Sequence, residues 1–155
     1  MALAETLANL HDKVGSEIHV SEWLTITQDM INDFGDATRD RQWIHVDPAR
    51  AATQSPYRTT IAHGYFTLSL YPCLRGLVDE QNPPFPGVRS IINIGINKLR
   101  FPAAVPAGKR IRARCRLLGA ENVKNSLELT EAYTVEVENQ SRPACVAECV
   151  MRFYF

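Results

Sequence analysis

The sequence predicts an α+β fold, an antiparallel β-sheet wrapped around one central α-helix, and three observations predict it. The hydrophobic period changes from helical to strictly alternating near Val88. A nearly all-apolar helical stretch opens at Gly64, and no other helix in the chain is long and apolar enough to cover the apolar face of a sheet. Helix-start signals stand in the first half at Thr27 and at Asp47-Pro48.

Residues 15–26 read as extended and end at Thr27, an N-cap residue followed by acidic Asp29 in the first turn. Met30, Ile31, Phe34 and Ala37 then recur at helical spacing until Arg39-Asp40-Arg41-Gln42 interrupts the stripe. Asp47 before Pro48 predicts a second start, with a short helix through Ala49–Ala52. From Gly64, the residues Phe66, Leu70, Leu74 and Leu77 share one helical face, and the stretch reads as a buried central helix with a kink at Pro72. Residues 81–87, rich in proline, form a turn-bearing linker. Four strands follow. In Arg110–Leu117 apolar and arginine positions alternate without error. In the next, Leu127, Leu129, Tyr133, Val135 and Val137 alternate with Glu128, Thr130, Thr134, Glu136 and Glu138, and the last runs from Cys145 to Phe155. Among the topologies this pattern allows is the hot-dog arrangement, a long sheet curled around one helix.

At 155 residues the chain fits one domain, 1–155, that buries a core without metal or disulfide staples. Seventeen basic and seventeen acidic side chains cancel, so no field favours nucleic acid, and no Lys/Arg run marks a membrane surface. No apolar stretch approaches the ~20 residues of a membrane span, and the N-terminus lacks the charge and hydropathy pattern of a leader, which places the chain in the cytoplasm. Cys73, Cys115, Cys145 and Cys149 have no framework spacing and read as buried small hydrophobes. His11, His19, His45 and His63 are scattered, so no metal is expected.

Two segments hold groups suited to catalysis: Asp40 to His45, and Thr60-Ile61-Ala62-His63-Gly64. Five residues apart on a continuous helix, Asp40 and His45 would face different sides, so they converge on one water only if the backbone bends between them. The lost periodicity after Ala37 permits that bend. A neutral imidazole beside a carboxylate takes a proton from water near neutral pH. A glycine that opens a helix offers an N–H unpaired within the helix, aimed where a carbonyl oxygen can gather charge.

Phe34-Gly35-Asp36-Ala37-Thr38-Arg39-Asp40-Arg41-Gln42-Trp43-Ile44-His45-Val46-Asp47, with Ile61-Ala62-His63-Gly64-Tyr65-Phe66 downstream and Asn97-Lys98-Leu99-Arg100-Phe101-Pro102 later, resembles the MaoC-like dehydratase family, in particular its branch related to nodulation protein N. The resemblance spans most of the chain. It implies a hot-dog homodimer that adds water syn across trans-2-enoyl-CoA to give (3R)-hydroxyacyl-CoA, reversibly. The acyl thioester, on coenzyme A or acyl carrier protein, is the substrate, and no cofactor is implied. Asp40 and His45 take the positions of the family's catalytic pair, and Gly64 that of the glycine whose N–H holds the thioester oxygen. The commoner loop reads Gly-Asp-x-Asn-Pro-x-His; here Arg39 replaces the glycine and Gln42-Trp43 replace Asn-Pro, while Pro72 stands where some members carry a serine.

Trp43, His63 and Tyr65 are candidate substrate contacts; His63 also reads as a structural group bonding backbone near the helix start, and Trp43 as core. The row Arg110, Arg112, Arg114, Arg116 reads as a solvated strand face in preference to a coenzyme A phosphate site. Asp36 reads as a surface carboxylate that could orient Arg39 or Arg41. Two other functions fit the same pattern: a hot-dog acyl-CoA thioesterase, and a non-catalytic acyl-thioester-binding subunit.

Overall fold

The alternating segments build most of the molecule. A computed structural model describes residues 2–155. In chain order it contains α1 (Ala2–His11), β1 (Glu17–Val20), β2 (Leu24–Thr25), α2 (Gln28–Thr38), α3 (Trp43–Val46), α4 (Pro48–Gln54), α5 (Gly64–Ser69), α6 (Tyr71–Leu74), β3 (Ser90–Arg100), β4 (Arg110–Val123), β5 (Ser126–Val137) and β6 (Cys145–Tyr154). The strands pair antiparallel in the order β1-β4-β5-β6-β3, with β2 also bonded to β4. Register slips in β4 between Leu117 and Gly119, and in β3 between Asn93 and Gly95, bend the long strands and let the sheet curl. This is the expected α+β hot-dog architecture.

Period two sorts the side chains. Ile111, Ala113, Cys115 and Leu117 of β4 and Leu127, Leu129, Tyr133 and Val135 of β5 are fully buried, each large one contributing about 1.5–3 kcal/mol relative to exposure. The outward row is a ladder of ion pairs: Arg110 with Glu138, Arg112 with Glu136, Arg114 with both Glu136 and Glu17, and Arg152 with Glu128. The arginine row is therefore a solvated face whose guanidiniums at 110, 112 and 114 are already engaged by carboxylates. Such surface pairs each add little stability.

The central helix departs from the single kinked rod the sequence suggests. It is two short helices, α5 and α6, parted at Leu70, whose ψ of −4° leaves the α-helical path. Pro72 is the reason. Its missing N–H is no loss in a first helical turn, so a new helix starts around it instead of the old one continuing. Phe66, Thr67, Tyr71 and Leu74 face the sheet, while Tyr65, Ser69 and Cys73 are exposed, so burial is one-sided within this chain. The exposure of Cys73 corrects the reading of four buried cysteines. The other three are buried, and burial pushes the thiols of Cys115, Cys145 and Cys149 up to about 12, 11 and 12, which leaves them inert.

Helix α1 was not anticipated, although Leu3, Leu7 and Leu10 stand at helical spacing and pack on the core. A second surprise is Glu131, which occupies the inward row of β5 between Leu129 and Tyr133 and is 1% exposed. Arg75 grips its carboxylate through Nε at 2.9 Å and Nη2 at 3.0 Å, and the Tyr71 hydroxyl donates to it at 2.6 Å. Burial works against charge on Arg75, but its bonds to Glu131 more than offset this and hold its pKa above the usual value.

Breaking a buried ion pair from one side leaves the other charge uncompensated. Glu131→Gln is expected to lower the unfolding free energy by about 3–5 kcal/mol, read as a lower urea midpoint at fixed protein concentration. Replacing Glu131 with Leu and Arg75 with Met together should recover most of that loss.

Candidate active site

The site begins where α2 ends. Thr27 caps the helix, its hydroxyl accepting from the Met30 N–H at 3.2 Å. The far end stops at Arg39, which adopts the left-handed conformation with φ 65° and ψ 11°. That reversal folds the chain back on the helix so closely that a Cβ at Gly35 would lie 3.0 Å from the Asp40 carbonyl oxygen. After it, the single turn of α3 turns the His45 side chain inward. The bend that the broken periodicity allowed is therefore present, made by one αL residue and one short helix.

Three groups hold His45. Its Nδ1–H donates to the Ile61 carbonyl at 2.7 Å, its own carbonyl accepts from Gln28 Nε2 at 2.8 Å, and its N–H bonds the Gln42 carbonyl at 2.9 Å. Because a carbonyl can only accept, the proton of the neutral ring sits on Nδ1 and Nε2 keeps its lone pair. Burial lowers the His45 pKa; the Ile61 bond and Asp40 oppose this and the nearby His63 ring adds to it, for a net shift downward. Asp40 is partly exposed. The slight burial raises its pKa, but the Gln42 side-chain amide, which donates to Oδ1 at 3.1 Å, the Gln42 N–H and the two imidazoles outweigh it and hold the carboxyl below the ordinary carboxylate range.

His63 bonds backbone as expected, but its partner is the carbonyl of Asp40, to which Nε2–H donates at 2.8 Å. Its ring stacks on His45 with centroids 3.9 Å apart and planes inclined by 27°. Ligating atoms of Asp40, His45 and His63 all lie within 4.8 Å of one another. Two hydrogen bonds of about 2.8 Å meeting at a water oxygen span roughly 4.6 Å, a span comparable to the spacing of these ligating atoms. One nitrogen of each ring is engaged, His63 Nε2 by the Asp40 carbonyl and His45 Nδ1 by Ile61, which leaves His45 Nε2 and His63 Nδ1 as the rings' free donors.

Gly64 is the first residue of α5, so its N–H has no partner within the helix. A Cβ there would stand 2.9 Å from two carbons of the Phe101 ring, so the position is closed to any side chain while Phe101 stays in place. Gly64 and His45 share the lining of a cavity of about 280 Å³ with Thr67, Phe101, Ala104 and Ala144. Residues 60–62 hold this arrangement by pairing with the chain opposite: Ala62 N–H bonds the Val105 carbonyl at 2.8 Å and Ala107 N–H the Thr60 carbonyl at 3.0 Å.

The structure thus brings Asp40, His45, His63 and Gly64 together. Trp43 stands apart from that cavity's lining, half-exposed with the Arg50 guanidinium 4.4 Å above its ring. Tyr65 is exposed and packs edge-on against Phe101 at 5.8 Å. Asp36 pairs with Arg41 at 2.8 Å on the surface. Sequence reasoning missed Gln28, Gly35 and Phe101. Only Gly35 carried a signal, a glycine inside a helical stripe where a close backbone approach is the usual reason.

The family model described as MaoC like domain matches residues 9–139, and the chain belongs to this MaoC-like family. The chain is 48% identical over 154 residues to 3-hydroxyacyl-thioester dehydratase Z of Mycobacterium tuberculosis, covering 99% of each. It is 37% identical over 161 residues to nodulation protein N of Rhizobium leguminosarum bv. viciae, covering 97% of this chain and 92% of that one. The unliganded R-hydratase of Pseudomonas aeruginosa superposes with a TM-score of 0.70 at 23% identity, over 96% of this chain and 84% of that one, which shows the shared fold.

The αL conformation at Arg39 explains why glycine suits the position, since a Cβ there costs about 1 kcal/mol. Arg39→Gly is expected to raise the melting temperature by about 2–4 °C in a calorimetric scan.

Proposed function

We propose that this chain is a hydro-lyase that interconverts trans-2-enoyl and (3R)-3-hydroxyacyl thioesters, with Asp40 and His45 as the reacting pair and the Gly64 N–H as the oxyanion donor. The observation that carries the reading is the grouping of an anionic carboxylate with an imidazole whose Nε2 is bare, their ligating atoms no more than 4.8 Å apart, beside the cavity that Gly64 also lines. The 48% relative, by name a 3-hydroxyacyl-thioester dehydratase, supports the reaction class.

Both side chains are acceptors. A water between them donates one hydrogen to each and turns its lone pair toward the bound substrate. The Gly64 N–H bonds the thioester oxygen and drains electrons from carbon 3. Water oxygen adds at carbon 3, electron density moves to the thioester oxygen, and one of the two acceptors takes the proton. Returning that proton to carbon 2 from the same side collapses the enolate, and the addition is syn. Dehydration runs the same steps backward. His63 and Tyr65 flank this constellation, and Trp43 contributes to the outer wall of the loop that carries it.

The free edge of β3 supports a homodimer. This strand is eleven residues long, pairs on one side only, and leaves Ile92, Ile94 and Ile96 half-exposed. A bare apolar edge of that length invites a second strand, and a second copy laid against it would also cover the exposed side of α5. The same reading places the chain in the cytoplasm, whose reducing conditions suit four unpaired cysteines; no helix among the described residues is long and apolar enough to cross a membrane.

With trans-2-butenoyl-CoA and trans-2-octenoyl-CoA, the expected result is loss of the conjugated-thioester ultraviolet band without free thiol; thiol release would mean a thioesterase and overturn the reading. Asp40→Asn and His45→Gln should each cost on the order of 10²–10⁴ in kcat. Since both groups titrate low, the acid limb of kcat/KM is expected below the ordinary imidazole value of 6.5. Ile94→Glu should convert a dimer to a monomer in sedimentation at micromolar concentration; an unchanged mass would refute the β3 interface.

A further inference from the structure

We infer that His63 is the positioning residue of this site, a buried imidazole that locks Asp40 and His45 into one rigid unit. The inference rests on the reading of Asp40 and His45 as the reacting pair, and it gives His63 a role other than substrate contact.

Four observations place it there. His63 is 3% exposed, so its ring is a fixed piece of the interior and not a surface group. Its Nε2–H donates to the backbone carbonyl of Asp40 at 2.8 Å, holding the loop that carries the acid, and the same nitrogen lies 4.0 Å from the Asp40 carboxylate. Its ring is stacked on His45 at 3.9 Å, holding the plane of the base. Its Nδ1 is buried and has no hydrogen-bond partner among the described residues. A buried acceptor without a partner costs about 1–3 kcal/mol, and a phenyl ring would fill the space without that cost. What the imidazole supplies in return is the Nε2–H, the only group of the ring engaged with another residue by a hydrogen bond. Gly35 and Phe34 pack its remaining sides, with Gly35 close enough that a Cβ would lie 3.5 Å from its Cε1 and the Phe34 ring at 5.0 Å.

The stacking has an electrostatic consequence. The titratable groups facing His45 are Asp40 from the loop after α2, His63 from the segment before α5, and Tyr57 across the cavity; α2 presents the neutral Gln28, and the 101–105 loop is apolar. The His63 ring held face to face on His45 works with burial against a positive charge there, so His45 remains a base to lower pH than Asp40 alone would allow.

Two variants separate the contributions. In His63→Gln the side-chain amide can still donate to the Asp40 carbonyl but no titratable ring lies on His45; in His63→Phe the ring remains but the donor is gone. For His63→Phe, kcat is expected to fall on the order of 10²-fold with KM unchanged, as for a catalytic group displaced by about 1 Å. His63→Gln should lose less of the rate than His63→Phe while the acid limb of its kcat/KM profile moves to higher pH. In parallel, the 15N imidazole shifts of His45 are titrated by NMR in the parent and in His63→Gln, a readout that needs no turnover. An upward move of the His45 midpoint supports the inference even if no enoyl thioester is turned over, in which case it is the reaction assignment that fails. An unmoved midpoint, or a fall in kcat equal in both variants with the acid limb in place, would reduce His63 to a packing group and overturn it.

Discussion

The buried carboxylate of Glu131 is the anchor on which the rest of the arrangement hangs. The helical segment that covers the sheet is two helices of six and four residues, far too short to hold themselves together in water. Attachment to the sheet has to do what helix length does not. Tyr71 and Arg75 bond Glu131, and the Tyr133 hydroxyl donates to the Thr67 carbonyl at 2.8 Å, so α5 and α6 are fixed to β5 at three points. That fixes the start of α5, and with it the Gly64 N–H and the His63 ring beneath the loop that carries Asp40. An ion pair deep in an apolar core is thus tied to the geometry of a site it does not touch.

The hydro-lyase reading demands little of each residue. A carboxylate needs to be ionised, an imidazole needs one free lone pair, and one N–H must point at a carbonyl oxygen. The structure prepares the carboxylate and the imidazole with backbone more than with side chains: the Ile61 carbonyl selects the His45 tautomer, the Asp40 carbonyl occupies His63, and the left-handed turn at Arg39 brings the carboxylate round. Gln42 illustrates how a change in the loop can be absorbed. It stands outside the common motif, yet its amide bonds the Asp40 carboxylate directly.

How much of this was legible in the sequence depended on whether the signal was local. The error-free alternation of Arg110–Leu117 and the caps at Thr27 and Asp47 specify structure within a few residues, and the strand, the cap bond to Met30 and the Asp47 cap bond to Arg50 all formed. The resemblance located Asp40, His45 and Gly64, which the fold gathers in one place. What escaped was determined by neighbours distant in sequence. Glu131 reads as one more strand glutamate until Arg75 arrives from the end of α6, 56 residues away. Gln28 reads as a first-turn residue until it meets the His45 carbonyl, and Phe101 gives no hint that it will lie on Gly64.

That last contact joins two positions into one inheritable unit. Because ring carbons already lie 2.9 Å from where a Cβ at 64 would be, the chain can add bulk at the helix start only by surrendering the aromatic ring opposite. Phe101 also forms part of the cavity wall, so a lineage that made that exchange would reshape the cavity that Gly64 and His45 line. Diversity along this wall is therefore expected to arise by paired substitution, with each single step passing through a chain that is either overcrowded or unwalled.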